Sequence, residues 1–384
     1  MEETAMPGAE TNPTRRHFVQ SASALAGWMI VKPQSVRGTP ANSAVAVGLI
    51  GVGGRGTHDA GIVVSDPRAR VAALCDLFDD RLDEGATKLK LDKPATYHDF
   101  EKLLASDLDA VLIATPPFEH PRMFEAAVQA RKHIYCEKPA GVDVAGCKRV
   151  MAAANKADPA KNIVFGFQQR YGPEYLEGYK RLQDGQIGEL AVTRGWWIGS
   201  NPFHKRPYDP KVEHLRNWFC YKDYSGDIIV EQDCHNFDVF HWFLNGLPVR
   251  CVGWGGRKVR TELEILDHLS LIFEWPGGLQ VTYEANQLTP AGFANVGEQF
   301  TGAKGTISTS RAEMVHYRGR GDVETIKSGH DITIDAIQTF LTNILSGKVE
   351  NAGVRSAEST LIAIMGRTSI YTGREVSWND VVNS

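Results

Sequence analysis

The chain lacks a basic surplus, a paired-cysteine motif and an apolar run long enough to cross a membrane. Lys and Arg number 42 against 46 Asp and Glu, a formal charge of −4. A protein that binds nucleic acid through its field carries a basic excess or stripe, so that class is set aside. The six cysteines stand at 75, 136, 147, 220, 234 and 251, with no Cys-x-x-Cys among them. Zinc ribbons and thioredoxin-type motifs are thereby excluded. A chain of 384 residues builds its own core without a disulfide frame, so most of these cysteines are expected as buried thiols. No His-Glu-x-x-His or other ligand set is present, and no metal is expected. Hydrophobic residues at 42% and charged residues at 23% are ordinary for a globular protein, and at ~150 residues per domain the length suggests two domains. Glycine is the surplus, with 37 residues.

Residues 1–44 read as signal and linker. Arg15 and Arg16 precede the apolar stretch Ser21 to Val31, which is shorter than the ~20 residues of a helical span. That is the form of a bacterial twin-arginine export signal, with a weak small-x-small cleavage pattern at Ala41 to Ser43. A periplasmic or otherwise exported protein without stable membrane insertion is expected. The route carries folded proteins, so a cofactor would be bound before export, held tightly and regenerated in place.

From Val45 the pattern changes to strand, glycine turn and helix. Val45 to Ile50 is apolar, and Gly51, Gly53 and Gly56 follow as G-x-G-x-x-G, with Gly54 and Arg55 inside the motif. In that context the glycines permit a tight turn, approach of a pyrophosphate and close packing of helix on strand. The second apolar run, Ala69 to Asp76, ends in an acid 20 residues beyond Gly56, the offset of the residue that binds the adenosine ribose hydroxyls. An acid there repels a 2′-phosphate. NAD is expected, with NADP second because Arg81 is near. Further strands and helices alternate to about residue 170, predicting a doubly wound parallel sheet with its ligand edge at Thr115, Pro116, His120, Glu137 and Lys138.

The ordered set GVGGRG, CD, ATPP-x-x-H, EKP and QQRY resembles the Gfo/Idh/MocA oxidoreductases. The resemblance implies an α/β protein: an N-terminal Rossmann dinucleotide-binding domain, here 45–170, joined to a C-terminal α+β domain with a large open, mostly antiparallel sheet, here 171–384. It also implies that Lys138 sits beside the nicotinamide and the reacting hydroxyl, where a buried lysine can lose basicity and transfer a proton. The segment Gly226 to Gly246 reads as one helix. Phe237, Phe240, Phe243 and Leu244 form its core face. Glu231, His235, Asp238 and Trp242 form a second stripe, in which a carboxylate orients the imidazole of His235 and raises its basicity. The family pattern G-G-x-x-x-D-x-G-x-H-x-x-D is matched at Gly226, His235 and Asp238. Glu231 replaces the usual Asp, and Asp233 replaces the usual Gly.

Lys138, His235, Glu231 and Asp238 are thus the catalytic candidates. The aromatic, irregular stretch Trp196 to Gly226 is expected to wall the substrate pocket. Arg170, Tyr171, Trp197, Arg216, Tyr221 and His235 are the substrate candidates, with Trp196, His214 and Tyr224 as further wall residues. Several strands after residue 247 and a Trp275–Gln280 hairpin fit the open sheet, whose uncovered face predicts a homodimer or homotetramer. The function expected is an NAD(P)-dependent oxidoreductase acting on a sugar, sugar derivative or polyol. Two other readings share these residues. One is a redox-neutral NAD-dependent glycosidase, although exported enzymes of that kind lack a plain EKP. The other is a non-catalytic sugar-binding protein, against which Lys138 and His235 stand.

Overall fold

Short runs of β-branched and aliphatic residues in the first half are buried on both faces, which is what a parallel sheet covered by helices requires. The strands are β1 (Val45–Ile50), β2 (Ala69–Cys75), β3 (Ala95–Tyr97), β4 (Ala110–Ile113), β5 (His133–Cys136) and β6 (Ile163–Phe165). They pair in parallel in the order β3-β2-β1-β4-β5-β6. The order reverses between β1 and β4, so a crevice opens beyond their carboxyl ends, where doubly wound sheets bind ligands. The structure is a computed structural model that describes residues 44–200, 204–290 and 292–384. The twin-arginine segment and the cleavage pattern lie outside the described residues.

The second half forms a nine-stranded sheet. Its strands are β7 (Leu190–Ile198), β8 (Arg250–Gly256), β9 (His268–Trp275), β10 (Leu279–Asn286), β11 (Asn295–Gly302), β12 (Gly305–Thr309), β13 (Glu313–Gly319), β14 (Asp322–Lys327) and β15 (Val376–Ser377). They lie in the order β14-β13-β12-β11-β7-β10-β9-β8-β15. Neighbours are antiparallel except for β7 and β10. The sheet is half covered, as its alternation dictates. Val281, Tyr283 and Ala285 of β10 are buried, while Thr282 and Glu284 between them are exposed. On the inner face Phe237, Phe240 and Phe243 of the helix Cys234–Phe243 pack against Phe273, Tyr283 and Phe300. The helix Thr333–Ser346 returns to the first sheet and sets Phe340 edge-on to Tyr135 at 5.9 Å. All six cysteines are buried and free. Among the described residues no helix is long and apolar enough to cross a membrane.

Two sequence expectations change here. Trp196 and Trp197 lie on a regular strand, and successive strand residues face opposite ways. Trp196 therefore joins Trp254 on the outer face of the sheet, away from the cleft, with Arg194 over its ring at 5.6 Å. The single helix expected over Gly226 to Gly246 is two pieces, Ile228–Glu231 and Cys234–Phe243. In a continuous helix the Glu231 carbonyl would accept from the His235 N–H. Here Lys138 Nζ donates to that carbonyl at 2.6 Å instead.

Candidate active site

The glycine turn is built for a ligand that approaches the backbone. Gly51 has φ +91°, and a Cβ there would lie 2.6 Å from the Ala114 carbonyl. A Cβ on Gly56 would lie 2.0 Å from the Gly51 oxygen, while positions 53 and 54 face open space. The helix Gly54–Ser65 begins without a side-chain cap at Gly53, so its first N–H groups are left for an anion. A cleft of about 440 Å³ opens over this turn, lined by Gly51, Gly53, Gly54, Arg55, Thr115 and Pro116, with Asp76 at one end. The Asp76 carboxylate is held by the Val52 N–H at 2.8 Å and the Phe78 N–H at 3.1 Å. Cradle, free helix terminus and fixed acid together fit a dinucleotide.

Arg216 belongs to this cleft rather than to the substrate pocket expected for it. It reaches across from the second half, pairs with Asp80 at 2.6 Å and lies over the Phe78 ring at 3.6 Å. A surface pair of this kind contributes ~1 kcal/mol or less on its own, but it straps the second half of the chain over the Asp76 end. The strap also neutralises the guanidinium there, and Arg81 faces Glu84 at 3.4 Å.

His120 is buried and does not line the cleft. Its ring nitrogens face the carbonyls of Pro139 at 2.7 Å and Thr115 at 2.9 Å, tying the two loops together. Burial lowers its pKa although both carbonyls favour the proton. Glu137 is likewise buried and pairs with Arg55 at 2.9 Å. Arg55 also reaches Asp59 at 3.1 Å. Burial, with Glu137 beside it, raises the Asp59 carboxyl well above its usual range. Sequence reading passed over Asp59, although its place one turn after Arg55 was a usable signal.

Lys138 leaves the end of the nucleotide sheet and meets Glu231, donating to Oε1 at 2.7 Å. Burial opposes its charge, but Glu231, Cys234 and Glu137 outweigh it and raise its pKa. The expectation of a lysine that loses basicity is corrected: it stays an ammonium. His235 differs in the opposite sense. It is buried between Phe167 and Trp197, each ring centroid at 5.9 Å. Its Nδ1 has no hydrogen-bond partner among the described residues. Burial, then the charges of Arg311, Lys138 and Arg55, lower its pKa well below the ordinary value, so the imidazole is neutral and the expected rise in its basicity is corrected. Neither expected carboxylate orients it. Glu231 serves Lys138, and Asp238 is fully buried on Arg170, with contacts of 2.8 to 3.1 Å, and on Ser359 at 2.7 Å. Asp233 is buried too, and burial followed by Asp227 raises its pKa well above the carboxylate range.

The remaining substrate candidates divide. Arg170 is committed to Asp238, and the Tyr171 hydroxyl donates to Glu350 at 2.9 Å. Tyr221 donates to Glu213 and lies tilted against His214 at 4.0 Å, while Tyr224 packs edge-on against Phe118 of the cofactor cleft at 4.6 Å. Of the aromatic residues expected as walls, Trp197 stacks on His235. Arg311, which sequence reading missed, lies 5.1 Å over the Trp197 ring.

A nucleotide crevice at a strand-order reversal, with a lysine from the loop after β5 held by Glu231 and a histidine on the helix Cys234–Phe243, fits a dinucleotide-dependent oxidoreductase. Residues 45–163 match the family model described as oxidoreductase family, NAD-binding Rossmann fold. Residues 175–310 match the GFO/IDH/MocA C-terminal domain. The chain belongs to the Gfo/Idh/MocA family and is an NAD-dependent oxidoreductase. It is similar to myo-inositol 2-dehydrogenase of Thermotoga maritima, 25% identical over 353 residues, covering 88% of this chain and 99% of that one. An inositol 2-dehydrogenase of Acidothermus cellulolyticus is 27% identical, with 72% and 76% covered. A levoglucosan dehydrogenase structure in complex with NADH and levoglucosan shares the fold, at TM-score 0.74 and 18% identity, with 87% and 99% covered.

Proposed function

We propose that the chain oxidises a secondary hydroxyl of a sugar or polyol, with residues 45–170 holding the nucleotide and 171–384 the substrate. The observation that carries this reading is the pair of side chains at the junction: Lys138 held on Glu231 at 2.7 Å, and His235 set between Phe167 and Trp197 with its Nδ1 unpartnered. Bound in the cleft, NAD supplies the hydride acceptor. The protein supplies the rest. His235 takes the hydroxyl proton as general base. Lys138 donates a hydrogen bond to the same oxygen as negative charge develops on it, an electrostatic role that needs the ammonium to stay protonated. Glu231 positions Lys138 from the other side. The names of the relatives, inositol and levoglucosan dehydrogenases, support a polyhydroxylated substrate. They do not favour the glycosidase or binding-protein readings.

The Arg216–Asp80 strap would slow nucleotide release, so that NAD copurifies in part while added NAD still exchanges. The test is direct. Denatured protein is expected to release NAD, and native protein incubated with inositols and aldoses is expected to show nicotinamide reduction at 340 nm. Release of no nucleotide and no binding of added NAD would end the proposal.

We also propose export by the twin-arginine route and assembly through the outer sheet face, where Trp254 and Ile272 are exposed. Fractionated cells are expected to hold the protein outside the cytoplasm as two or four copies, and the variant R15K/R16K is expected to stay inside. A monomer, or a variant exported as well as the parent, would overturn the respective reading.

A further inference from the structure

Four cations gather at the junction of the two sheets, and three are accounted for. Lys138 is paired with Glu231, Arg55 with Glu137 and Asp59, and Arg170 with Asp238. Arg311 is not. Among the described residues it has no ion pair, and its Nε is shut off from solvent with no hydrogen-bond partner. The side chain is half-buried at the tip of the β12–β13 hairpin. Ser310 fixes that tip, accepting from the Glu313 N–H at 3.2 Å and donating its own N–H to the Glu313 carbonyl at 2.9 Å. The guanidinium is thereby laid over Trp197, whose ring stacks on His235.

An arginine cannot shed its charge as a lysine can, and the Arg311 Nε is shut off from water without a partner while its two terminal nitrogens are not, a cost that an anionic ligand on the open side of the fork would offset. The neighbouring acid, Glu298, feels the Arg311 charge but makes no ion pair with it. Glu298 accepts from Asn236 at 2.6 Å and Thr309 at 2.7 Å, and burial pushes its pKa up to about 7. The charges felt at His235, from Arg311, Lys138 and Arg55, are all positive. We propose that Arg311 is a specificity residue and that the substrate is an anionic sugar or polyol, bearing a carboxylate or a phosphate ester. The planar fork would grip that group bidentately while Trp197 carries the sugar face, leaving the reacting hydroxyl to His235 and Lys138. The inference rests on the proposed function for the location of the substrate, not for the identity of the chemistry.

The test uses the full protein with NAD in excess and three probes: D-glucuronate, D-glucose 6-phosphate and D-glucose. Turnover is read at 340 nm, and binding is read separately by calorimetry on the NADH-loaded form. One or both anions are expected to exceed glucose in kcat/KM, and which one separates carboxylate from phosphate. R311Q is expected to lower the preference for the anion about 10- to 100-fold, mostly through KM, as loss of a charge-assisted contact does. R311K is expected to restore part of it and guards against a folding defect in R311Q. Glucose equal to or better than both anions overturns the proposal. So does an unchanged preference in R311Q, or an effect confined to NAD affinity, which would place Arg311 on the cofactor. Anion binding that depends on Arg311, without turnover of any probe, upholds the inference and counts against the oxidoreductase mechanism alone.

Discussion

Replacing His235 with asparagine is expected to lower kcat by about 10²- to 10⁴-fold, the range that a positioned general base contributes, while the dinucleotide stays bound. Asparagine keeps polarity and approximate size between Phe167 and Trp197 but cannot accept a proton in this pH range. The pH profile supplies a second readout. Burial and three nearby cations lower the His235 pKa well below its ordinary value. The protonated form, which cannot act as base, is therefore populated only at pH below the ordinary histidine value of about 6.5. For the parent enzyme kcat/KM is expected to stay level from neutral pH down through 6.5 and to fall only in more acid solution. In His235→Asn that acid limb disappears. Steady-state rates between pH 4.5 and 9 check both points. A loss of less than about 3-fold would move the base elsewhere, and an acid limb above 6.5 would mean that a carboxylate reaches the imidazole after all.

That His235 stands without its expected carboxylate shows where local pattern stops being informative. β1 runs from Val45 to Ile50 in sequence and structure alike, because a strand, a glycine turn and a helix start are decided within a dozen residues. Gly51 with its positive φ and Gly56 against the Gly51 carbonyl are readable for the same reason. The stripe Glu231, His235, Asp238 and Trp242 has helical spacing, but spacing is blind to a break. The break follows Glu231, whose carbonyl and carboxylate are both taken by Lys138, 93 residues earlier in the chain. Arg216 lies at the nucleotide cleft for a similar reason: its partner, Asp80, is 136 residues away in the first turn of the helix Asp79–Lys88. Arg311 gave no signal, since Ser-Arg-Ala between two strands reads as an ordinary hairpin tip. Its meaning appears only once β12 is laid beside β11 and β11 beside β7, bringing the tip to Trp197.

Asp238 is the catalytic candidate whose role the structure changes most, and its replacement separates scaffold from chemistry. Asp238→Ala is expected to destabilise the fold by about 3–5 kcal/mol, because removing one partner of a buried pair strands the other charge. Arg170 is only 14% exposed and spends its Nε and one terminal nitrogen on this carboxylate. Trp242, at 5.3 Å, offers it a ring face rather than an anion. Ser359 loses the shorter of its two acceptors, keeping the Arg355 carbonyl at 3.0 Å. If the role is bracing, R170M/D238L should recover much of the loss, since apolar groups of similar volume often replace a buried ion pair without net cost. Denaturant unfolding of the parent, the single and the double variant checks this. Were Asp238 instead the group that orients His235, the double variant would regain stability while kcat stayed depressed to the level of His235→Asn. The geometry predicts the other outcome: rate returns together with stability, because Asp238 meets Arg170 and Ser359, and His235 meets Phe167 and Trp197.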